Sequence, residues 1–451
     1  MRDHQVSPLT VSRALAELSR EGIVDSRPGA GTFVARPRPR QAGPDLGYSW
    51  QTVALGERSI DTSGLSPLAD PPHADDVISL ATGYLHASLM PLAALRSALA
   101  RAARLPDAWD RPPAAGLHGL RSWFATATGS GLDAQDVLIT SGGQGALSAV
   151  FRALVPAGGA VLIESPTYPG ALAAARAAGA TPVPVPIDAG GIIPGYLADA
   201  FARTGARVLF CQPAYQNPTG TVLAQDRRPE ILRIAAAGGA FVIADEVASW
   251  LSYRSRPPAP LLADDQDGRV VTLTSLTKVA SPSLRVGAII ARGPAASRLR
   301  AQRAVDDLFV SRPLQETALD LVSRPGWSRH QRDLGRSLRH RAAVACAAIT
   351  ELLPAAETAV PLGGVHLWVR LPRDLDDVET AAAARRHGVI VMPGRPFFPA
   401  EAPASYLRLT TCGVPGEADL EAGIRRLAAA APALTRPAGP TSDERLRLRR
   451  E

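Results

Sequence analysis

The sequence contains a single lysine, Lys278, in the run Ser275-Leu-Thr-Lys-Val-Ala-Ser-Pro-Ser-Leu-Arg-Val-Gly287; the other 48 basic residues are arginine. A primary amine can condense with a carbonyl group, and a guanidinium cannot, so any lysine chemistry must occur at position 278. Three other polar features also follow short apolar runs. Asp245 follows Phe241–Ala244, and Asn217 lies in Gln212-Pro-Ala-Tyr-Gln-Asn-Pro-Thr-Gly220 after Val208–Phe210. Gly142-Gly143-Gln144-Gly145 follows Val137–Thr140 and opens a helical stretch. Glycines let a backbone approach closely, and free N–H groups at a helix start point toward an anion. Ser275 and Arg285 flank Lys278 and could complete a phosphate cup with a hydroxyl and a guanidinium.

These residues need a scaffold that brings strand ends together. From about residue 77, β-branched runs alternate with Ala-rich helical stretches: Val137–Thr140, Val161–Glu164, Val208–Phe210, Phe241–Ala244, Val270–Leu273 and Val286–Ile290. Nearly continuous apolar strands separated by helices predict a parallel or mixed α/β sheet covered on both faces. Ligands of such sheets gather at the carboxyl ends of the strands. A second pattern follows residue 330: a long helix near 329–353, strands at Val365–Leu371, Val389–Val391 and Tyr406–Thr410, and helices near 376–387 and 417–431. This predicts a smaller α+β lobe.

Other chemistries are excluded. A P-loop needs Gly-Lys-Ser/Thr, whereas Thr277 precedes the lone lysine; the kinase motifs are missing. Ser275-Leu-Thr-Lys278 matches the Ser-x-x-Lys of penicillin-recognising enzymes, but no second lysine supplies their Lys-Thr-Gly. No apolar run is long enough to span a membrane, and the first residues lack a secretory signal. Cys211, Cys346 and Cys412 are few and far apart, which fits a reducing cytoplasm and offers no metal or disulfide framework. The net charge of +7 is concentrated at the ends: net +3 over residues 1–40 and net +2 over 434–451.

Residues 78–432 resemble the fold-type I, pyridoxal-phosphate-dependent aminotransferases of class I/II. Ser275, Lys278, Pro282, Arg285 and Gly287 occupy every fixed position of the family's Ser-x-x-Lys-x-x-x-Pro-x-x-Arg-x-Gly. Asn217-Pro-Thr-Gly220, Glu164-Ser-Pro-Thr-Tyr-Pro169, Pro361-x-Gly-Gly364 with Trp368, Pro393-Gly394 with Phe397, and Arg408 in Tyr-Leu-Arg-Leu match further motifs in order. The resemblance implies a large, mostly parallel sheet domain (78–328), a small C-terminal lobe (329–433), pyridoxal 5'-phosphate as cofactor and a homodimer. It implies that Lys278 forms the covalent link to the cofactor aldehyde and later shuttles protons. Asp245 would pair with the pyridine nitrogen, Asn217 with the ring hydroxyl, and Tyr168 would stack on the ring. Gly143, Gln144, Ser275 and Arg285 would hold the phosphate. Gly83 and Arg408 would contact the substrate, Arg408 through its α-carboxylate.

Two positions depart from the family pattern. Many members carry a tyrosine three residues after the pyridine aspartate, where this chain has Ala248. The loop that sends a tyrosine to the neighbouring subunit's phosphate is poorly matched at 109–116, with Trp109 the nearest aromatic. Cofactor binding should survive both changes, whereas efficient transamination is in question.

The first 36 residues resemble the second half of a winged helix of the GntR type. Ser7-Pro8 reads as a helix start, Val11, Ala14, Leu15 and Leu18 recur at helical spacing, and Ile23-Val24 and Thr32–Val34 flank the turn Arg27-Pro-Gly-Ala-Gly31. Thr10, Ser12 and Arg13 would face the major groove of DNA, and Arg27 a phosphate. Residues 37–77, rich in Pro, Gly and Asp, read as a mostly irregular linker, and 434–451 as a basic tail. A winged helix joined to an aminotransferase-like domain is the architecture of MocR-type regulators. The family's first helix and most of its second have no counterpart, which leads us to expect a reading frame starting upstream of Met1; a decayed DNA-binding unit is the other possibility. The expected function is a cytoplasmic, dimeric regulator that binds an amino compound and, with the missing helices, DNA. The alternatives are an aminotransferase of an α-amino acid with a 2-oxo acid, and a sensor with neither catalysis nor DNA contact.

Overall fold

The structure is a computed structural model. It describes residues 24–27, 31–34, 49–55, 76–129, 131–254 and 257–432, together with the single helical positions Val11, Leu15 and Leu18. The chain divides into two compact units, 1–59 and 60–451.

In the first unit, β1 (Val24–Arg27) and β2 (Gly31–Val34) form an antiparallel hairpin with Val24 opposite Val34 and Arg27 opposite Gly31. Gly31 has φ +107°, a conformation that side chains disfavour. Arg27 thus closes a strand, where the sequence had placed it in the turn; its side chain lies outside the described residues, as do Thr10, Ser12, Arg13 and Ala14. Ser49–Leu55 forms a short helix inside the stretch read as mostly irregular.

The second unit is built on an eight-stranded sheet. In chain order its elements begin with the short β3 (Ile78–Ser79), which lies outside that sheet, followed by β4 (Val137–Thr140), β5 (Ala160–Ser165), β6 (Thr181–Asp188), β7 (Gly191–Ile192), β8 (Val208–Cys211), β9 (Phe241–Asp245), β10 (Val270–Ser275) and β11 (Gly287–Ile290). The spatial order is β4-β11-β10-β9-β8-β5-β6-β7. The neighbours from β10 to β6 pair in parallel, and β11 runs antiparallel to both β10 and β4. Six strands therefore end at one edge of the sheet. β11 starts there, with Gly287 opposite both Ser275 and Thr140.

Both faces of the sheet are buried, which explains the unbroken apolar runs. On β8, Leu209 and Cys211 enter one core while Val208 and Phe210 enter the other. On β9, Val242 and Ala244 alternate with Ile243 in the same way. Alternation places Asp245 on the face of Ile243, which the helix Gly142–Leu154 also covers through Ala146, Leu147 and Val150.

The smaller sheet joins β12 (His366–Arg370), β15 (Tyr406–Thr410) and the two-residue β14 (Met392–Pro393), with β13 (Val389–Ile390) preceding β14 in the chain. Leu367, Val369, Leu407 and Leu409 pack with Ala345 and Ile349 of the long helix Gly326–Leu352 and with Leu420, Ile424 and Leu427 of Glu417–Ala430. The strand expected at Val389–Val391 ends at Ile390: β13 pairs in parallel with β3, and β14, which begins at Met392, pairs with β15. Residues 78–80, expected in the large domain, instead bond to the small lobe; Leu80 N–H donates to Ile390 and its carbonyl accepts from Thr410.

Candidate active site

The strand-end edge opens onto a cleft. It is lined by Gly143, Gln144, Tyr168, Asn217, Asp245, Ser275, Lys278 and Arg285, eight of the ten cofactor and substrate residues picked from the sequence. Gly83 and Arg408 adjoin it through direct contacts with lining residues.

Lys278 lies just past the end of β10. Its Nζ donates to the Gly83 carbonyl at 2.9 Å and stands 4.0 Å from the centroid of the Tyr84 ring. Burial lowers the amine to about 8, with Asp245 and Cys412 opposing the shift and Arg408 adding to it. Asp245 ends β9. One of its carboxylate oxygens accepts from Val247 N–H at 3.2 Å and the other from Gln212 Nε2 at 3.3 Å. Burial raises this carboxyl to about 6, although both hydrogen bonds and Lys278 favour the ionised form. Burial thus draws both groups toward their neutral forms, while their mutual attraction favours the charged form of each.

The anion cradle forms where β4 turns into the helix Gly142–Leu154. Gly142 adopts φ +74°, and a Cβ there would stand 3.0 Å from Arg285 Cζ. The Arg285 guanidinium donates to the Ser141 carbonyl at 2.8 Å, which fixes it beside the helix start. Arg285 itself has φ +49° at the turn into β11. A Cβ on Gly143 would lie 3.2 Å from Val247 and 4.0 Å from Ser275, so this glycine keeps the floor open. The Ser275 hydroxyl bonds internally, to Thr277 Oγ1 at 2.9 Å and the Val286 carbonyl at 3.2 Å, and also accepts from Thr277 N–H. Gln144 is likewise engaged: its Nε2 donates to the Gly170 carbonyl and its Oε1 accepts from the Tyr168 hydroxyl at 3.3 Å.

Arg408 comes from β15 of the small sheet and is 1 % exposed. It donates to Asn217 Oδ1 at 3.3 Å and to the Ala81 carbonyl, stacks 5.1 Å from the Phe397 ring centroid, and leaves its buried Nε without a partner among the described residues. Trp109, the nearest aromatic in the poorly matched loop, is 79 % exposed on this chain. Ala248 lines the cleft and brings no hydroxyl to it.

Several lining residues escaped the sequence reading. Tyr84, Gln212, Tyr215, Thr277 and His366 all face the cleft. Gln212 and Tyr215 flank the Asn217 motif in sequence and were within reach of inspection. Tyr84 and His366 carry no local signal, because β3 and the small sheet deliver them.

Residues 75–427 match the family Aminotransferase class I and II. The chain belongs to that family. The uncharacterized HTH-type transcriptional regulator YdfD of Bacillus subtilis is 26% identical over 431 residues, covering 94% of this chain and 89% of YdfD. The probable rhizopine catabolism regulatory protein MocR of Rhizobium meliloti is 27% identical, covering 88% of this chain and 81% of that protein. Among solved structures, LysN, the α-aminoadipate aminotransferase of Thermus thermophilus complexed with N-(5'-phosphopyridoxyl)-L-leucine, superposes with a TM-score of 0.79 at 28% identity, covering 86% of this chain and 99% of that one. The cofactor of this fold family is pyridoxal 5'-phosphate, and the residues present fit it. An amine, a buried carboxylate with spare lone pairs, and a glycine-floored cradle beside Arg285 meet at one cleft.

Proposed function

We propose that the chain is a pyridoxal-phosphate-binding transcriptional regulator of the MocR type, acting as a homodimer in the cytoplasm, with its aminotransferase unit serving as receptor for an amino compound. One observation carries this reading. The aminotransferase match begins at residue 75, whereas the match to the regulator YdfD takes in 94% of the chain and so reaches into the preceding residues, where β1 and β2 form a hairpin of the kind a wing requires.

Bound pyridoxal phosphate supplies an aldehyde for an amine and a ring that accepts negative charge. Lys278 provides the amine, and its burial keeps a useful fraction neutral near pH 8. Asp245 holds a proton at the ring nitrogen, and Asn217 orients the ring hydroxyl. Gly143, Gln144, Ser275 and Arg285 hold the phosphate end, and Tyr168 covers the ring. Arg408 pairs with the carboxylate of the amino compound. The domain limits 1–36, 37–77, 78–328, 329–433 and 434–451 belong to this reading, with residues 78–80 bonding to the small lobe, and so do the DNA contacts at Thr10, Ser12, Arg13 and Arg27.

Chromatin immunoprecipitation of the protein expressed from its own locus tests the regulator. Discrete DNA sites whose occupancy changes in a Lys278→Ala strain are expected. The second reading is an aminotransferase, favoured by the meeting of Lys278, Asp245 and Asn217 in one cleft. Release of a 2-oxo acid from an amino acid by the purified protein, together with no enriched DNA site, would decide for the enzyme.

A further inference from the structure

His366 stands opposite Thr410 across β12 and β15, and Trp368 stands opposite Arg408. Directly paired residues share a sheet face, so His366 and Arg408 project from the same face as diagonal neighbours, on the order of 7–8 Å apart along the backbone. The opposite face, with Leu367 and Leu409, is the core of the lobe. His366 lines the cleft, and its buried Nδ1 has no hydrogen-bond partner among the described residues. The Nε of Arg408 and the hydroxyl of Thr410, on the same face, are also buried without partners among the described residues. Unsatisfied buried polar atoms are uncommon in native proteins, and three lie on this one face beside the cleft.

Gly83 brings the imidazole of His366 and the amine of Lys278 together beside one backbone segment. A Cβ on Gly83 would stand 3.1 Å from His366 Cε1 and 3.3 Å from Lys278 Nζ. Any side chain at 83 would crowd both groups, so a glycine is what lets the imidazole and the amine approach the same segment. Burial and the nearby Arg408 and Lys278 cations hold His366 well below the usual histidine range, so it is a neutral ring with one donor and one acceptor nitrogen.

We propose that His366 is a ligand-binding residue that donates a hydrogen bond to the same α-carboxylate that Arg408 pairs with. This rests on the amino-acid reading of the cleft. A neutral donor adds direction to carboxylate recognition without placing a third positive charge beside Lys278 and Arg408.

The test measures binding, not turnover. The protein loaded with pyridoxal phosphate is titrated by calorimetry with the twenty common L-amino acids, and with the decarboxylated amine of whichever binds best. His366→Phe should weaken that amino acid about tenfold or more, as the loss of a charge-assisted hydrogen bond does. Affinity for the amine and for pyridoxal phosphate should stay unchanged. His366→Gln, which restores an N–H donor, should recover most of the loss. His366→Ala, smaller and also without a donor, gives the same reading if the phenylalanine variant fails to fold. Unchanged amino-acid affinity in both donor-less variants overturns the proposal, as does an equal loss for the amine. A wild-type protein that binds none of the amino acids overturns the underlying reading and this inference with it, whereas wild-type binding with unaffected variants overturns the role of His366 alone.

Discussion

Lys278 points its ammonium at the ring of Tyr84, 4.0 Å from the centroid, while donating to the carbonyl of the residue before it, Gly83. The amine is thus held at the strand-end edge by a segment that belongs, through β3, to the small lobe. An aromatic face favours the charged amine, but burial outweighs it and the amine is lowered to about 8.

Because the nucleophile is the neutral amine, the rate of pyridoxal phosphate uptake should climb from pH 7 to about pH 8 and level off above pH 9. Stopped-flow absorbance over that range measures it. After free cofactor is dialysed away, Lys278→Ala should lack the absorbance band that the covalent link gives the wild type. A band of wild-type intensity in that variant would remove the central assignment.

Glu164 behaves as a proton-linked element of stability. It is buried, accepts from Gln212 N–H at 3.0 Å, and is raised to about 8, chiefly by burial. A carboxyl raised in the fold contributes stability that is fully present below its unfolded value near 4.5 and is lost as pH rises through about 8. Thermal unfolding of wild type should therefore weaken between pH 5 and pH 9 more steeply than that of Glu164→Gln. Parallel curves for the two proteins would contradict the assignment.

Gly142→Ala should damage phosphate binding. The new Cβ combines a disfavoured positive φ of +74° with a 3.0 Å approach to Arg285 Cζ. Strain of this kind costs about 1–3 kcal/mol, and displacement of Arg285 removes a bidentate partner of the anion. Equilibrium dialysis should show pyridoxal phosphate affinity reduced about tenfold or more. Pyridoxal without phosphate should be affected far less.

Arg408→Lys should fail to conserve function. The guanidinium meets Asn217, the Ala81 carbonyl and the Phe397 ring at once. An ammonium cannot reproduce that planar fork. Carboxylate-bearing ligands should bind about tenfold or more weakly in calorimetry, with the cofactor's absorbance retained. Equal affinity in wild type and variant would separate Arg408 from carboxylate recognition.

The sequence by itself determined which atoms could do chemistry. One lysine fixed the site of amine chemistry, and the apolar runs ending in Asp245, Asn217 and Gly142 followed from strands buried on both faces. It also marked most of the large sheet. β6 was not visible because Pro182, Pro184 and Pro186 interrupt the expected pattern. Their period of two turns the missing N–H groups to one side, and beyond the short contact with β7 that side of the strand has no partner strand among the described residues. Tertiary structure alone decided the partners of those atoms. Gly83, Tyr84, His366 and Arg408 come together from β3, β12 and β15, segments up to about 330 residues apart whose convergence no local spacing encodes. It also decided the electrostatics. Lys278 at about 8 and Asp245 at about 6 are consequences of burial, and burial is a property of the folded surroundings, not of the residue.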